Sequence, residues 1–374
     1  MKNLLLCLSF ISIINSVFSQ VEHHSHSSNR KIEFPDIEGY KTLICDFHIH
    51  TVFSDGEVWP SIRVKEALRD GLDAISLTEH LEYQPHKNDI PHKDRNREYE
   101  IAKEHAKNHD LIVVNGSEIT RSMPPGHSNA IFLNDSNKLL VDDVLEAFQE
   151  TKRQDAFVFW NHPHFLSQAK DGVARLSDMH KELIRKNLLH GIEVVNDQSY
   201  SDEALQIALD NNLTIMGTSD VHELVDWVFK VPEGGHRPVT LVFAKEKNAQ
   251  SIKEALVKKR TVVYFKDFLI GRKEFLVPLI QTSLHIEEVK YRDDTAVLLV
   301  ELKNESDVDF ILKNKMEYTF HESGDVIVVK SKGSILLNVK VLERKKSFNL
   351  KFEVLNAILA PDVHPEINFN IEIK

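Results

Sequence analysis

From residue 41 to about 265, short apolar runs alternate with amphipathic segments. The runs at 43–47, 73–77, 111–115, 130–133, 156–160, 192–195, 213–217 and 239–243 have strand length and are apolar on both faces. Between several of them apolar residues fall at helical spacing: Ile62, Ala67 and Leu68; Val144, Leu145 and Phe148; Ala204, Leu205, Ala208 and Leu209; Ile252, Ala255 and Leu256. A strand apolar on both faces needs cover on both. The alternation therefore predicts an α/β architecture, a parallel sheet or barrel wrapped by helices.

After about residue 277 the period becomes two. Phe348, Leu350, Phe352 and Val354 alternate with Asn349, Lys351 and Glu353, and Ile367, Phe369, Ile371 and Ile373 alternate with polar partners. Turn signals stand at Asn304-Glu305-Ser306 and Glu322-Ser323-Gly324. This pattern predicts a small all-β sandwich over 277–374 with no helix. No internal repeat points to a solenoid or propeller.

The first twenty residues follow another rule. Lys2 precedes an apolar run at 4–14, and Ser16-Val17-Phe18-Ser19 offers small residues for cleavage. The run is too short to span a bilayer, so residues 1–20 read as a removable secretory signal peptide. The expectation is an exported protein, periplasmic or secreted, with a linker at 21–40 and no membrane span. His23, His24 and His26 in that Ser-rich linker read as solvated residues rather than a metal trap. Without Cys7, Cys45 is the sole thiol, so no internal disulfide forms; its apolar surroundings predict a small buried residue.

Composition changes the picture little: 374 residues, 42% apolar and 28% charged, suit one large domain with a small one. The net charge of -11 comes without a long acidic block and argues against general nucleic-acid binding.

The histidines carry the chemistry. Seventeen of the twenty precede residue 240, and many follow predicted strands. The first strand ends in Asp46-Phe47-His48-Ile49-His50, then Ser54-Asp55-Gly56. A His-x-His pair on a strand points both imidazoles to one face, where they can share a metal. Later strands end in Thr78-Glu79-His80, Gly116-Ser117-Glu118, Trp160-Asn161-His162-Pro163 and Thr218-Ser219-Asp220-Val221-His222, and His127 follows a Pro-rich turn. In a parallel barrel such ends converge on one mouth, where active sites lie.

His48-x-His50, the Thr-x-His around His80, Glu118 with His127, His162-Pro163 and Asp220-x-His222 resemble, in order, the motifs of the PHP (polymerase and histidinol phosphatase) family. The resemblance covers roughly residues 41 to 265, and the nearest branch is exported bacterial members with an appended β domain, some of them phosphodiesterases. It implies a distorted seven-stranded β/α barrel over 41–276, with two or three divalent metals that hydrolyse phosphate esters, monoesters or diesters. It implies one ion on His48, His50, Glu118 and Asp220. A second sits on bridging Glu118 with His127 and His162, and a third on Asp55, His80 and His222. Two positions depart from the pattern. Asp55 stands where some members have His, and Glu79 where Asp is common.

Imidazoles and carboxylates without thiolates suit Zn²⁺, Mn²⁺ or Fe²⁺. A carboxylate bridge holds two cations about 3.5–4 Å apart, and a water they activate attacks phosphorus. Asp220 can orient that water, Glu118 bridges, and His222 can donate a proton where no metal fills its site. For a small phosphorylated substrate, Arg121, Lys87 and Arg237 are the candidate phosphate-binding residues. His86, His92 and His164 read as loop decoration, and the charged insertion at 88–104 as a helix, either a lid or a solvated face. Two other readings stay open: an amidohydrolase-like enzyme on a non-phosphate substrate, and a non-catalytic metal-binding surface protein. Oligomeric state has no signature in the chain.

Overall fold

The computed structural model describes residues 31–373. The expected signal peptide at 1–20, residues 21–30 of the expected linker, and His23, His24 and His26 lie outside the described residues.

The eight predicted strands all form. In chain order the strands of this part are β1 (Lys41–Asp46), β2 (Ala74–Leu77), β3 (Ile112–Ile119), β4 (Ser128–Ile131), β5 (Phe157–Trp160), β6 (Gly191–Asn196), β7 (Ser199–Tyr200), β8 (Thr214–Thr218), β9 (Val239–Ala244), β10 (Thr261–Phe265) and β11 (Phe268–Gly271). With one short strand from the C-terminal region they make a curled mixed sheet of twelve strands, so the expected count of seven is not reproduced. Nor is the sheet all parallel. β1, β2 and β3 run parallel, as do β5, β6 and β8, but β4, β9 and β10 run antiparallel to their neighbours. Periodicity reports burial on both faces and not direction.

β8 meets β9 and β10 through threonine side chains. Thr240 Oγ1 donates to the Gly217 carbonyl at 2.8 Å and accepts its N–H at 3.0 Å, while Thr261 Oγ1 donates to the Ile215 carbonyl at 2.8 Å. A β carbon at position 217 would lie 2.2 Å from Val263 Cγ1, so only glycine allows this approach.

The four predicted helices appear as Pro60–Asp70, Val144–Arg153, Asp202–Asp210 and Ala249–Val257. Pro60 opens the first, and Asp143, Ser201 and Asn248 cap the others through their side-chain oxygens. The charged insertion forms a helix at Arg97–Ala106 that packs inward with Glu98, Ala102 and Ala106 buried, so it is neither a lid nor a fully solvated face.

The C-terminal strands form two sheets. Leu284–Tyr291, Val297–Asn304 and Ser334–Lys340 make one; Val326–Val329, Phe310–Asn314, Ser347–Val354 and Glu366–Glu372 make the other. Phe348, Leu350, Phe352, Val354, Ile367 and Ile371 are buried, as the alternation predicted. The expected boundary after 276 falls inside a helix, Lys273–Ser283, whose buried Leu276, Leu279 and Ile280 belong to an apolar core that continues into the sandwich. Ala357–Ile358 pairs with β11. Residues 32–37 are not free linker either: Ile32 and Ile37 are buried, and Phe34 packs edge-on against Tyr264. Among the described residues no helix is long and apolar enough to cross a membrane.

Candidate metal centre

The segments that follow β1 and β8 are tied side by side. Asp220 N–H donates to the His48 carbonyl at 2.8 Å and His50 N–H to the Val221 carbonyl at 3.1 Å. Beneath them buried Asp46 accepts the Ser219 N–H and hydroxyl, and buried Arg63 donates to the carbonyls of His50, Val221, His222 and Glu223. On the other side Glu118 N–H donates to the Glu79 carbonyl at 2.9 Å, which sets Glu118 beside His80. β4 runs opposite to its neighbours, so His127 just before its start arrives at the same end of the sheet as Glu118 and His162. His162 and Asp220 hold left-handed backbone at φ 27° and 49°, a strain borne at two proposed ligands.

All nine predicted ligands meet in one cluster. His48 Nε2 and His50 Nε2 lie 3.0 Å apart and stand 3.0 and 3.1 Å from Asp220 Oδ1. His48 Nε2 is 3.7 Å from Glu118 Oε1, and His127 Nδ1 and His162 Nε2 are 3.0 and 3.5 Å from the same oxygen. Asp55 reaches His80 Nε2 and His222 Nε2 at 3.2 Å each and His50 Nδ1 at 3.6 Å. His80 Nδ1 also contacts Glu118, so the third expected group shares members with the others.

Burial acts against charge here, but the histidines around them keep Asp55 and Asp220 ionised, while the imidazoles themselves diverge. For Asp220 and Asp55 burial works upward and loses to the surrounding histidines, leaving both carboxyls below their usual range. For His48 burial works downward and is overridden by Asp220 and Glu193, which push it up to about 10. His50 is pushed down to about 3 by burial and by neighbouring His222. The donor set fits divalent metals. In each group the imidazole nitrogens and carboxylate oxygens lie within 4.8 Å of one another, without thiol or ammonium among them.

Glu193 was not singled out by the sequence. It is fully buried and accepts from His48 Nδ1 at 2.8 Å, Thr218 Oγ1 at 2.6 Å, the His162 N–H at 2.7 Å and Asn196 Nδ2 at 2.9 Å. With its Nδ1–H spent there, His48 presents Nε2 as the atom that would bind an ion. Nothing local to Gly191–Asn196 signals this role, because His48 is 145 residues away. Glu79, the unusual neighbour of His80, accepts from Ser54 Oγ and the Thr51 N–H; burial pushes it up to about 7. It tethers the loop that carries Asp55.

The phosphate-binding candidates fare differently. Arg237 is buried and bound by Asp46 and Asp70, so it braces the barrel and does not reach substrate. Arg121 is engaged by Glu82 at 2.9 Å and by the carbonyls of Val141 and Asp142, which leaves its guanidinium committed. Lys87 is exposed on the loop after His80. His86, His92 and His164 join none of the metal-capable groups among the described residues. Cys45 is buried with no disulfide. A cavity of about 520 Å³ lies between barrel and sandwich, lined by residues such as Phe229, His236, Tyr264 and Asp307 and by none of the nine ligands.

Residues 284–370 match a family model described as an Ig-like domain. A solved two-domain protein from Bacteroides vulgatus, containing a predicted PHP-like metal-dependent phosphoesterase, shares 42% identity at a TM-score of 0.86, over 91% of this chain and 98% of that one. An uncharacterized protein of Methanocaldococcus jannaschii is 40% identical over 82 residues, 21% of this chain and 34% of that protein, so the chain spans about a third of this relative's length.

Proposed function

The chain belongs to the PHP-like metal-dependent phosphoesterase family, and from that premise we propose that it hydrolyses phosphate esters, monoesters or diesters, at a centre of two or three divalent ions. The observation that carries the reading is the convergence of nine buried or half-buried ligand side chains on one end of the sheet.

His48, His50, Glu118 and Asp220 would hold one ion, Glu118 with His127 and His162 a second, and Asp55, His80 and His222 a third. Bound there, Zn²⁺, Mn²⁺ or Fe²⁺ would supply Lewis acidity and a water acidic enough to attack near neutral pH. Asp220 stays ionised among His48 and His50 and can orient the attacking water by accepting its hydrogen bond. His222 donates its Nδ1–H to the Asp220 carbonyl at 2.8 Å and stands at the open edge, where, with no ion on the third group, its Nε2 can pass a proton to the leaving alcohol. The Lys2 and 4–14 pattern also leads us to propose that the protein acts outside the cytoplasm; N-terminal sequencing of protein from its native compartment should find the first twenty residues removed.

Stripping the metals with chelator and restoring Mn²⁺ or Zn²⁺ should abolish and return hydrolysis of aryl phosphate mono- or diesters. Glu118→Gln should stay folded yet lose a hundredfold or more, on the order of what removal of a metal or oxyanion contact costs. Metal-loaded protein that cleaves no phosphate ester, or turnover indifferent to chelator, overturns the reading.

A further inference from the structure

We infer that Gln168 decides whether His162 can take a metal: its amide turns over when the Nε2 of His162 is given to an ion, and the amide oxygen then fixes the ring by accepting its Nδ1–H. The inference rests on the reading of Glu118, His127 and His162 as ligands of one ion.

Two short turns bring Gln168 back to His162. The His162 carbonyl accepts the Phe165 N–H at 2.9 Å, and the Phe165 carbonyl accepts the Gln168 N–H at 2.8 Å. The side chain ends with its Nε2 3.2 Å from His162 Nδ1. An amide nitrogen only donates, so Nδ1 accepts there, and a neutral His162 carries its proton on Nε2. That is the atom facing Glu118 Oε1 at 3.5 Å. A ring nitrogen that bears a proton has no lone pair left for a metal. Once Nε2 is given to an ion, the proton belongs on Nδ1, where it meets the amide N–H head on. His48 and His222 escape this conflict. Behind their Nδ1 atoms stand acceptors, the Glu193 carboxylate and the Asp220 carbonyl, each at 2.8 Å.

The other end of the same amide is idle. Gln168 Oε1 is buried and has no hydrogen-bond partner among the described residues. A buried acceptor left unpaired is costly, and Gln168 can remove the cost without moving its backbone. A half-turn of the planar amide exchanges oxygen and nitrogen, which occupy nearly the same space. The oxygen then accepts from Nδ1–H, and Nε2 is left bare. Gly126 makes room for the amide: a β carbon there would lie 2.3 Å from Oε1. It directly precedes His127, which is read as a ligand of the same ion. The turn at Gly126 and the turn at Gln168 thus serve one metal position.

The test compares Gln168→Met, which keeps the length and loses the amide, with Gln168→Glu, which can only accept from Nδ1–H. After loading with Zn²⁺ and dialysis against graded chelator, the Met variant should give up one metal equivalent about 10- to 100-fold more readily than the native chain. The Glu variant should hold that equivalent at least as tightly as the native chain. A residue that merely filled space would not separate the two. Nitrogen NMR of the His162 ring gives the direct signature: Nδ1 unprotonated in the metal-free native chain and protonated once Zn²⁺ is bound. Native retention in the Met variant, equal losses in both variants, or an Nδ1 signal that loading leaves unchanged overturns the inference. None of these readouts uses a substrate. Metal loading that follows this pattern in a protein that cleaves no phosphate ester supports the role of Gln168 and overturns the phosphoesterase reading instead.

Discussion

At the scale of single residues, Glu193 does several things at once. It fixes the His48 tautomer, holds the strained His162 backbone through its N–H, and through Asn196 touches Asp220, whose Oδ2 lies 3.2 Å from Asn196 Nδ2. In Glu193→Gln the amide oxygen can still accept from one side, but its NH₂ then faces another donor. Metal affinity should fall about 10- to 100-fold, the usual effect of losing a partner behind a metal ligand. Metal retained during dialysis against graded chelator reads this directly, and unchanged retention would refute the positioning role. The third metal group allows a second test. Asp55→Ala and His222→Ala should each remove one metal equivalent and reduce monoester turnover more than diester turnover, because a monoester carries more charge to neutralise. His80→Ala should do more, since its Nδ1 also meets Glu118. Identical metal losses in all three, or equal losses on both esters, would count against this division. The residues that converge as candidate ligands were legible in the sequence because each motif is local, such as His48-x-His50 or Asp220-x-His222. Glu193 and Arg237 were not, because burial and partners more than 100 residues away decide their roles.

At the scale of elements, β5 carries His162 to the centre and rests on two histidines that must stay neutral. His180 stacks on Trp160 at 3.9 Å, accepts the Ser177 N–H at Nδ1 and donates from Nε2 to the Pro125 carbonyl at 2.6 Å. His190 Nδ1 accepts the Val158 N–H at 3.0 Å. Burial pushes both down to about 4 from an ordinary 6.5. A lowered folded pKa means the unfolded chain binds the proton better. The stability these rings contribute is therefore complete above about pH 6.5 and is lost as pH falls towards 4. The melting temperature should drop across that window, and His180→Gln with His190→Asn should make the drop shallower. An unchanged slope in the double variant would show that other groups cause it. Apolar runs made β5 visible in the sequence. What the sequence hid was direction: β4 has the same apolar texture as its neighbours yet runs against them, and β8 meets β10 through Thr261 rather than a backbone ladder.

At the scale of the whole molecule, two domains told apart by period share one core. The change to period two near residue 277 marked the sandwich correctly as a texture, but the helix Lys273–Ser283 spans that point and its apolar side is covered from both directions. Further ties cross the seam. Asp307 N–H donates to the Glu33 carbonyl at 3.2 Å, Tyr264 Oη donates to the Asp307 carbonyl at 3.1 Å, and Ala357–Ile358 extends the barrel sheet beyond β11. A core that cannot be divided without exposing Leu276, Leu279 and Ile280 to water should not melt in two steps. Scanning calorimetry of the full chain should therefore show one transition. All nine proposed ligands lie in the barrel, yet metal should raise that single transition as a whole, because an ion that binds only the folded state stabilises everything that unfolds with its site. Cutting the chain after Ser283 should leave a barrel that precipitates at concentrations where the full protein stays in solution. Two resolved peaks, with only one moved by Mn²⁺, would mean that the sandwich is an independent passenger and that the shared core couples nothing.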